Sequence, residues 1–572
     1  MKERIDITAV AAQARRDAGL ADQRRAPRMN IFVAGATGVI GRRLLPRLVA
    51  AGHRVAAAAL HVPPGPAAAP MTGESRVNAV PTAMSVRRFV GVCALVTALA
   101  TAGCAGFGDN APAVRPVSPD ELHATTTLAT ATLSEDDWPQ SEWWTMFQDA
   151  QLDALEGEAL AGSPSLALAE ARVARARALA GMVRSKLRPN VDANAAATRQ
   201  RFSDNDTAPP PLAGNWRTRG RMTLDFDYDL DPWGGNHAAL AAALSEVEAT
   251  RVDAFAARLL LSTAVAASYV ELAHLYDRLD IERATLRQRR GIYDLTRRRV
   301  RAGLDSRVEL KQAEAALPAT RENIAALSEQ LAATRSRIAA LLGRGPDRGL
   351  TIERPVLHDD SDRPALPSRL PADLLGRRPD VVASRWRVEA AGRRIEVAKA
   401  GFYPNVNLLA FAGFQSIGLS DLIDIGSGVA GIGPAIHLPV LEGGRLRGAL
   451  ARSDAEYDAA VARYNRTLAD ALRDIADRLA SIRSVAVQKR EQRIALAAAR
   501  EAHALALQRF RAGVGTYLTV LSTETAMLAQ RRLGADLRAR TSSNRINLVL
   551  ALGGGFDPAE TGARTNSSSK HS

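Results

Sequence analysis

Thiols, imidazoles and paired carboxylates are the groups that could do covalent or acid–base chemistry in this chain, and their spacing supports little of it. The two cysteines, Cys93 and Cys104, are too few for a disulfide framework or a thiolate metal site. The nine histidines are scattered, and no HExxH, GxSxG or Cys–His spacing follows residue 104. His437 lies in an apolar, strand-like segment and reads as a wall residue rather than a catalyst. No enzyme, metal centre or diffusible cofactor is therefore expected. Composition narrows the class further: 47% hydrophobic residues can build a core, and 5% aromatics with abundant Ala and Arg favour long helices. No strictly apolar run of 18 residues follows residue 104, so a bundle of membrane-spanning helices is excluded. The net charge of +14 invites a nucleic-acid reading, but its location opposes one. Residues 1–83 hold 12 Lys/Arg against 5 Asp/Glu, and Arg87 and Arg88 add two more, so +9 precedes Cys104 and +5 remains. No nucleic-acid partner is expected.

Cys104 gains a role from what precedes it. Residues 84–103 run from Met84 through Arg87–Arg88, an apolar stretch from Phe89 to Leu99, and the small residues Thr101, Ala102 and Gly103. That is the three-part layout of a secretory signal, too short for a membrane span. The Ala-Gly-Cys ending resembles a bacterial lipobox, although Thr101 stands where Leu is usual. The resemblance implies a covalent lipid on Cys104 and, because Ala105 is not Asp, sorting to the outer membrane. Residues 1–83 remain outside this plan. Within them, Asn30–Ala34 enters a turn with Gly35, Gly38 and Gly41, similar to the opening of a dinucleotide-binding Rossmann unit. Pro46 disturbs the following helix, residues 61–70 dissolve into Pro and Ala, and no further strand–helix–strand alternation is read. The expectation is a non-functional extension, with Met84 the effective start.

The rest repeats itself at a period of about 210 residues, suited to gene duplication. Leu187–Ala195 answers Phe402–Ala410, Trp233–Asn236 answers Glu442–Arg445, and Arg301–Leu310 answers Arg511–Val520. Each copy reads helix, strand, strand, long helix, tight turn, long helix. From Arg221 to Leu230 the alternation is clean. Arg221, Thr223, Asp225, Asp227 and Asp229 share one face, and Met222, Leu224, Phe226, Tyr228 and Leu230 share the other. Such a strand suits a barrel wall with lipid outside and water inside. Val406, Leu408, Ala410, Ala412 and Phe414 give the second copy a comparable stripe. Four strands cannot close a barrel, and an open edge in lipid is forbidden, so closure demands oligomerisation. Residues 235–301 and 443–511 contain no Pro, and helices of that length span roughly 100 Å. Leu259, Ala266, Tyr269 and Leu272 mark an apolar face for coiled-coil packing. At the turns, Gly303 and Gly513 permit helix-ending backbone, and Asp305, Ser306 and Thr516 can cap the returning helices.

The ordered set resembles the outer membrane factors of bacterial efflux systems, the TolC-like proteins, in their NodT-like lipoprotein branch. The carrying segments are Trp143–Leu152, Leu370–Asp380, Gly433–Pro439 and Glu442–Arg445. The similarity covers residues 104–555: a lipidated N-terminus and first repeat over 104–360, and a second repeat over 361–555. Residues 556–572 read as a disordered tail. The resemblance implies a mixed α/β homotrimer: a twelve-stranded transmembrane β-barrel, four strands per chain, continued by a periplasmic α-helical coiled-coil barrel. It implies an inner membrane pump and a periplasmic membrane-fusion adaptor as partners, and drugs or other small molecules as cargo. It places the adaptor-binding tip at Gly303, Leu304, Asp305 and Ser306 and at Gly513, Val514, Gly515 and Thr516. It places a pore constriction at Leu518 and Ser522, four residues apart on one helix face. An Asp is common at the second position, so Ser522 withholds a ring of negative charge. The rival reading is a lipid-anchored structural coiled coil or adaptor of the envelope, which leaves the amphipathic strand pairs unexplained.

Overall fold

The computed structural model describes residues 30–34, 54–58, 111–122, 133–134, 138–205, 209–358, 366–367 and 376–557. Cys104, the signal segment 84–103, the turn glycines Gly35, Gly38 and Gly41, and the tail beyond 557 lie outside them. The chain divides into two units, Met1–Ala94 and Leu95–Ser572. In the first, β1 (Asn30–Ala34) pairs in parallel with β2 (Arg54–Ala58), Asn30 opposite Arg54 and Ala34 opposite Ala58. This corrects the expectation of a lone strand: residues 35–53 are long enough for the crossover that a parallel pair requires. The Ala-rich β2 carries no period that separates strand from helix.

The second unit opens with β3 (Leu133–Ser134), α1 (Ala150–Gly162), α2 (Pro164–Ser185), β4 (Asn190–Arg201), β5 (Trp216–Asp229), α3 (Gly235–Arg301) and α4 (Arg307–Leu341). It continues with β6 (Leu366–Pro367), α5 (Pro379–Ala400), β7 (Asn405–Ile417), β8 (Gly428–His437), α6 (Arg445–Arg511) and α7 (Tyr517–Leu552). Both repeats follow the expected order with matched lengths. The short helices α2 and α5 have 22 residues each, α3 and α6 have 67 each, and α4 and α7 have 35 and 36. Pro164 and Pro379 start the short helices, where the missing N–H costs nothing.

The four longer strands form one antiparallel sheet in the order β4–β5–β7–β8. Its register aligns the faces. Phe226 stands opposite Val191 and Ala410, and Ala410 opposite Ile432, giving an apolar outer face. Asp225 stands opposite Asp192 and Phe411 on the inner face. The stripe from Val406 to Phe414 runs about 26 Å along β7, the scale of a bilayer's apolar band. Aromatic residues bracket the wall. Trp216 opens β5, and Trp233 follows it, stacked on Tyr403 with centroids 4.7 Å apart and donating to the Pro404 carbonyl at 2.7 Å.

The main core joins α1, α3, α4 and α7. Trp143, Phe147, Leu152 and Leu155 pack on Leu272, Ile338 and Ile546. Tyr269 is fully buried there, its hydroxyl donating to Asp149 at 2.9 Å. Ala266 and Leu272 are buried with it, and Leu259 is buried elsewhere on the same helix, as the apolar stripe predicts. One window of α3 is apolar enough to cross a membrane by length and composition, but 56% of it is buried within the chain, so it is core. Phe556 is also buried and packs on Phe255, centroids 5.5 Å apart, which corrects a tail beginning at 556. Ahead of the core, residues 111–118 run extended along α6. The amides of Ala113 and Val114 donate to Asp458 at 3.0 Å, and Asn465 takes the Val117 amide and donates to the Arg115 carbonyl.

Candidate functional site

The two helical reversals are built by the same backbone device. After α3, Gly303 adopts φ +72°, its amide donates to Val300, and the Leu304 amide donates to Arg299. After α6, Gly513 adopts φ +86°, with the equivalent bonds to Phe510 and Arg509. Both are the paired capping bonds that let a left-handed residue close a helix. Ser306 then caps α4 through the Val308 amide at 3.1 Å, and Glu309 reaches back to the Ser306 amide at 3.0 Å. The Ser306 hydrogen bond holds the Glu309 carboxyl below its usual range. Thr516 caps α7 through the Thr519 amide at 3.3 Å.

Asp305 does not cap, contrary to expectation. Its carboxylate takes both prongs of Arg299, at 2.8 and 3.0 Å, with both side chains nearly buried. Arg299 also donates to the Phe510 carbonyl at 3.0 Å and lies 4.6 Å over the Phe510 ring. The first reversal is thereby fastened to the second. Gly515 stands where Asp305 stands in the other copy, and a Cβ there would approach the Phe510 amide to 2.9 Å. The second reversal must therefore be bare where the first is charged. Leu304, Val308, Val514 and Leu518 are 63–69% exposed at matching places of the two copies. Arg298 and Arg301 lie in the last turn of α3, and Arg509 and Arg511 in the last turn of α6, where they complement the carboxyl ends of the two long helices.

Leu518 and Ser522 share one exposed stripe of α7 with Thr525, while Tyr517, Val520 and Glu524 are buried on the opposite side. Behind the stripe lies a polar deck that the sequence reading did not single out. Glu524 accepts from Arg289 at 3.1 Å and from Gln288 at 3.2 Å, and Arg289 also reaches Thr320 at 2.9 Å. Gln288 donates to His503 at 2.8 Å. Burial holds that imidazole below its usual range, so it stays neutral. These partners sit on α3, α4, α6 and α7, which one stretch of sequence cannot reveal. At the opposite end of α7, Arg378 of the inter-repeat segment grips Asp380 at 2.8 and 2.9 Å and Asp474 at 3.4 Å. It also donates to the carbonyls of Ala471 and Ala551, tying α5, α6 and α7 together.

Known proteins share this arrangement. Residues 155–344 and 370–554 match the family described as outer membrane efflux protein. The fusaric acid resistance protein FusA of Burkholderia cepacia is 41% identical over 367 residues, 63% of this chain and 68% of that protein. The multidrug resistance outer membrane protein MdtQ of Escherichia coli O157:H7 is 30% identical over 466 residues, 80% of this chain and 96% of that protein. Among solved structures, the outer membrane protein VceC of Vibrio cholerae aligns with a TM-score of 0.69 at 38% identity, covering 73% of this chain and all of that one. The outer-membrane channel OprN aligns with a TM-score of 0.69 at 26% identity, covering 79% and 98%. The sheet is thus one third of a twelve-stranded trimeric barrel in the outer membrane, continued by the helices into the periplasm. With a lipid-facing wall, a helical conduit and two reversals at its far end, the chain belongs to the outer membrane efflux protein family.

Proposed function

We propose that this efflux channel receives drugs or other small molecules from an inner membrane pump, through a periplasmic adaptor seated on its two reversals. The observation that carries this reading is the matched exposure of Leu304 and Val514 at the far end of the conduit. Apolar residues next to helix ends that carry arginines suit a helical partner with an apolar seam and acidic flanks. The names of the relatives, which concern multidrug and fusaric acid resistance, support small-molecule cargo. Leu518 forms an apolar constriction at the axis, and Ser522 a second, uncharged ring one helical turn above it. Cys104 carries the lipid. Ala113 lies nine positions beyond it, a maximum extended reach of about 30 Å, while Asp458 lies about 20 Å along α6 from its membrane end. A chain of that length is sufficient to reach the bilayer. A structural coiled coil would leave the apolar outer face of the sheet without a partner.

Leu304→Asp and Val514→Asp test the adaptor reading, because both side chains are exposed and neither is needed for packing. Resistance in cells should fall while the trimer persists on unboiled gels. Unchanged resistance would place the adaptor elsewhere, and loss of the trimer would make these residues structural.

A further inference from the structure

We propose that the barrel lumen is bipolar, anion-attracting in its outer half and cation-attracting in its inner half, and that ionic current through it rectifies. The register places Arg217, Arg219 and Arg221 of β5 on the inner face of the sheet, followed by Thr223 and then Asp225, Asp227 and Asp229. Asp192 joins the acidic half from β4, directly opposite Asp225. No inward position of β7 or β8 carries a Lys, Arg, Asp or Glu, so neither zone is cancelled across the sheet. Only Arg221 leans toward the boundary, 4.0 Å from Asp225 and 5.7 Å over the Phe411 ring. Among the described residues, Arg217 and Arg219 make no ion pair. The hairpin loops 202–215 and 418–427 mark the outer end of the wall, and the starts of α3 and α6 mark the inner end. The arginine zone is therefore exterior.

Asp227 lies eight positions beyond Arg219, about 26 Å along the strand and roughly 20 Å along the barrel axis for a strand tilted by about 40°. That exceeds the screening length of about 10 Å at 0.1 M salt, so the zones act separately. At 1 M salt the screening length falls to about 3 Å, and wall charge no longer reaches across the lumen. Threefold closure, the one element taken from the family fold, turns each zone into a ring, and rings of one sign select ions of the other. When the periplasmic side is positive, cations enter through the aspartates and anions through the arginines, and both accumulate at the boundary. Reversed polarity empties it. The exterior arginines also oppose re-entry of polyvalent cations from outside.

The test is the current–voltage curve of the trimer inserted directionally in planar bilayers, at 0.1 M and 1 M KCl. At 0.1 M the current should be at least twofold larger with the periplasmic side positive, and at 1 M the two directions should be equal. Arg217→Gln, Arg219→Gln and Arg221→Gln together should abolish the asymmetry and shift the reversal potential in a salt gradient toward cation selectivity. Asp225→Asn with Asp227→Asn should shift it toward anions. The helical conduit lies in series in every variant, so differences between variants report the barrel. Should the triple variant fail to form trimers, Arg219→Gln and Asp227→Asn alone should produce smaller shifts of the same signs. As a measure independent of constriction, the trianionic dye pyranine should bind the purified trimer at 10 mM salt. Binding should weaken about tenfold in the arginine variant and be unaffected in the aspartate variant. Symmetric wild-type current at 0.1 M, asymmetry that survives loss of the arginines, or asymmetry that persists at 1 M would each overturn the proposal.

Discussion

Glu156 is a carboxyl with no exposed surface on α1, and neither of its oxygens meets a donor among the described residues. Burial, reinforced by the nearby charge of Asp153, pushes it up to about 9, so it is protonated at neutral pH. The folded chain then holds a proton that the unfolded chain has released, and stability falls as pH rises from about 4.5 to about 9. Glu156→Leu should raise the thermal midpoint in detergent at pH 8 by several degrees and flatten its decline across that window. An unchanged slope in the variant would assign the decline to other groups. Leu518 and Ser522 call for an electrical measurement. Leu518→Ala should raise single-channel conductance, and Ser522→Asp should add cation preference and block by divalent ions. Constant conductance and selectivity in both variants would move the constriction elsewhere. At this scale the sequence was a partial guide. Ser306 and Thr516 cap as their types and positions suggest, because capping is local chemistry. Asp305 was misread, since its partner Arg299 and that residue's contact with Phe510 are tertiary.

The helical reversals are elements whose geometry depends on one residue each. Gly303 and Gly513 hold φ values that cost another residue about 1–2 kcal/mol. Nothing lies within 4 Å of a Cβ built on Gly303, so a substitution there meets backbone strain rather than crowding. Gly303→Val should therefore increase drug susceptibility with the trimer retained, whereas Gly303→Asn should be nearly silent, because Asn tolerates this backbone. Equal defects in both variants would point to the side chain instead. Element order, strand parity and the two 67-residue helices were legible because each rests on a period repeated along the chain. The pairing of β1 with β2 was not, since an Ala-rich segment has no period to read. The strap along α6 was equally hidden, because its bonds join residues more than 340 positions apart.

The whole molecule is held to its membrane by the barrel wall, and the proposed lipid on Cys104 adds to that attachment. Cys104→Ser should abolish incorporation of labelled fatty acid while trimers still form, because one or two acyl chains contribute little beside a spanning barrel. Label retained in the variant would remove Cys104 as the acylated residue. Oligomerisation follows from the sheet having four strands and two edges, a necessity visible in the sequence, whereas the three-fold count came from the family fold. The identical lengths of α3 and α6 carry a different implication. Because both reversals must finish in one plane, an insertion or deletion in either arm leaves a step at the end of the conduit, about 10 Å for a lost heptad. Only a matched change in both copies preserves a flat rim. The duplicated halves are therefore bound to inherit changes of length together, even as their side chains drift apart.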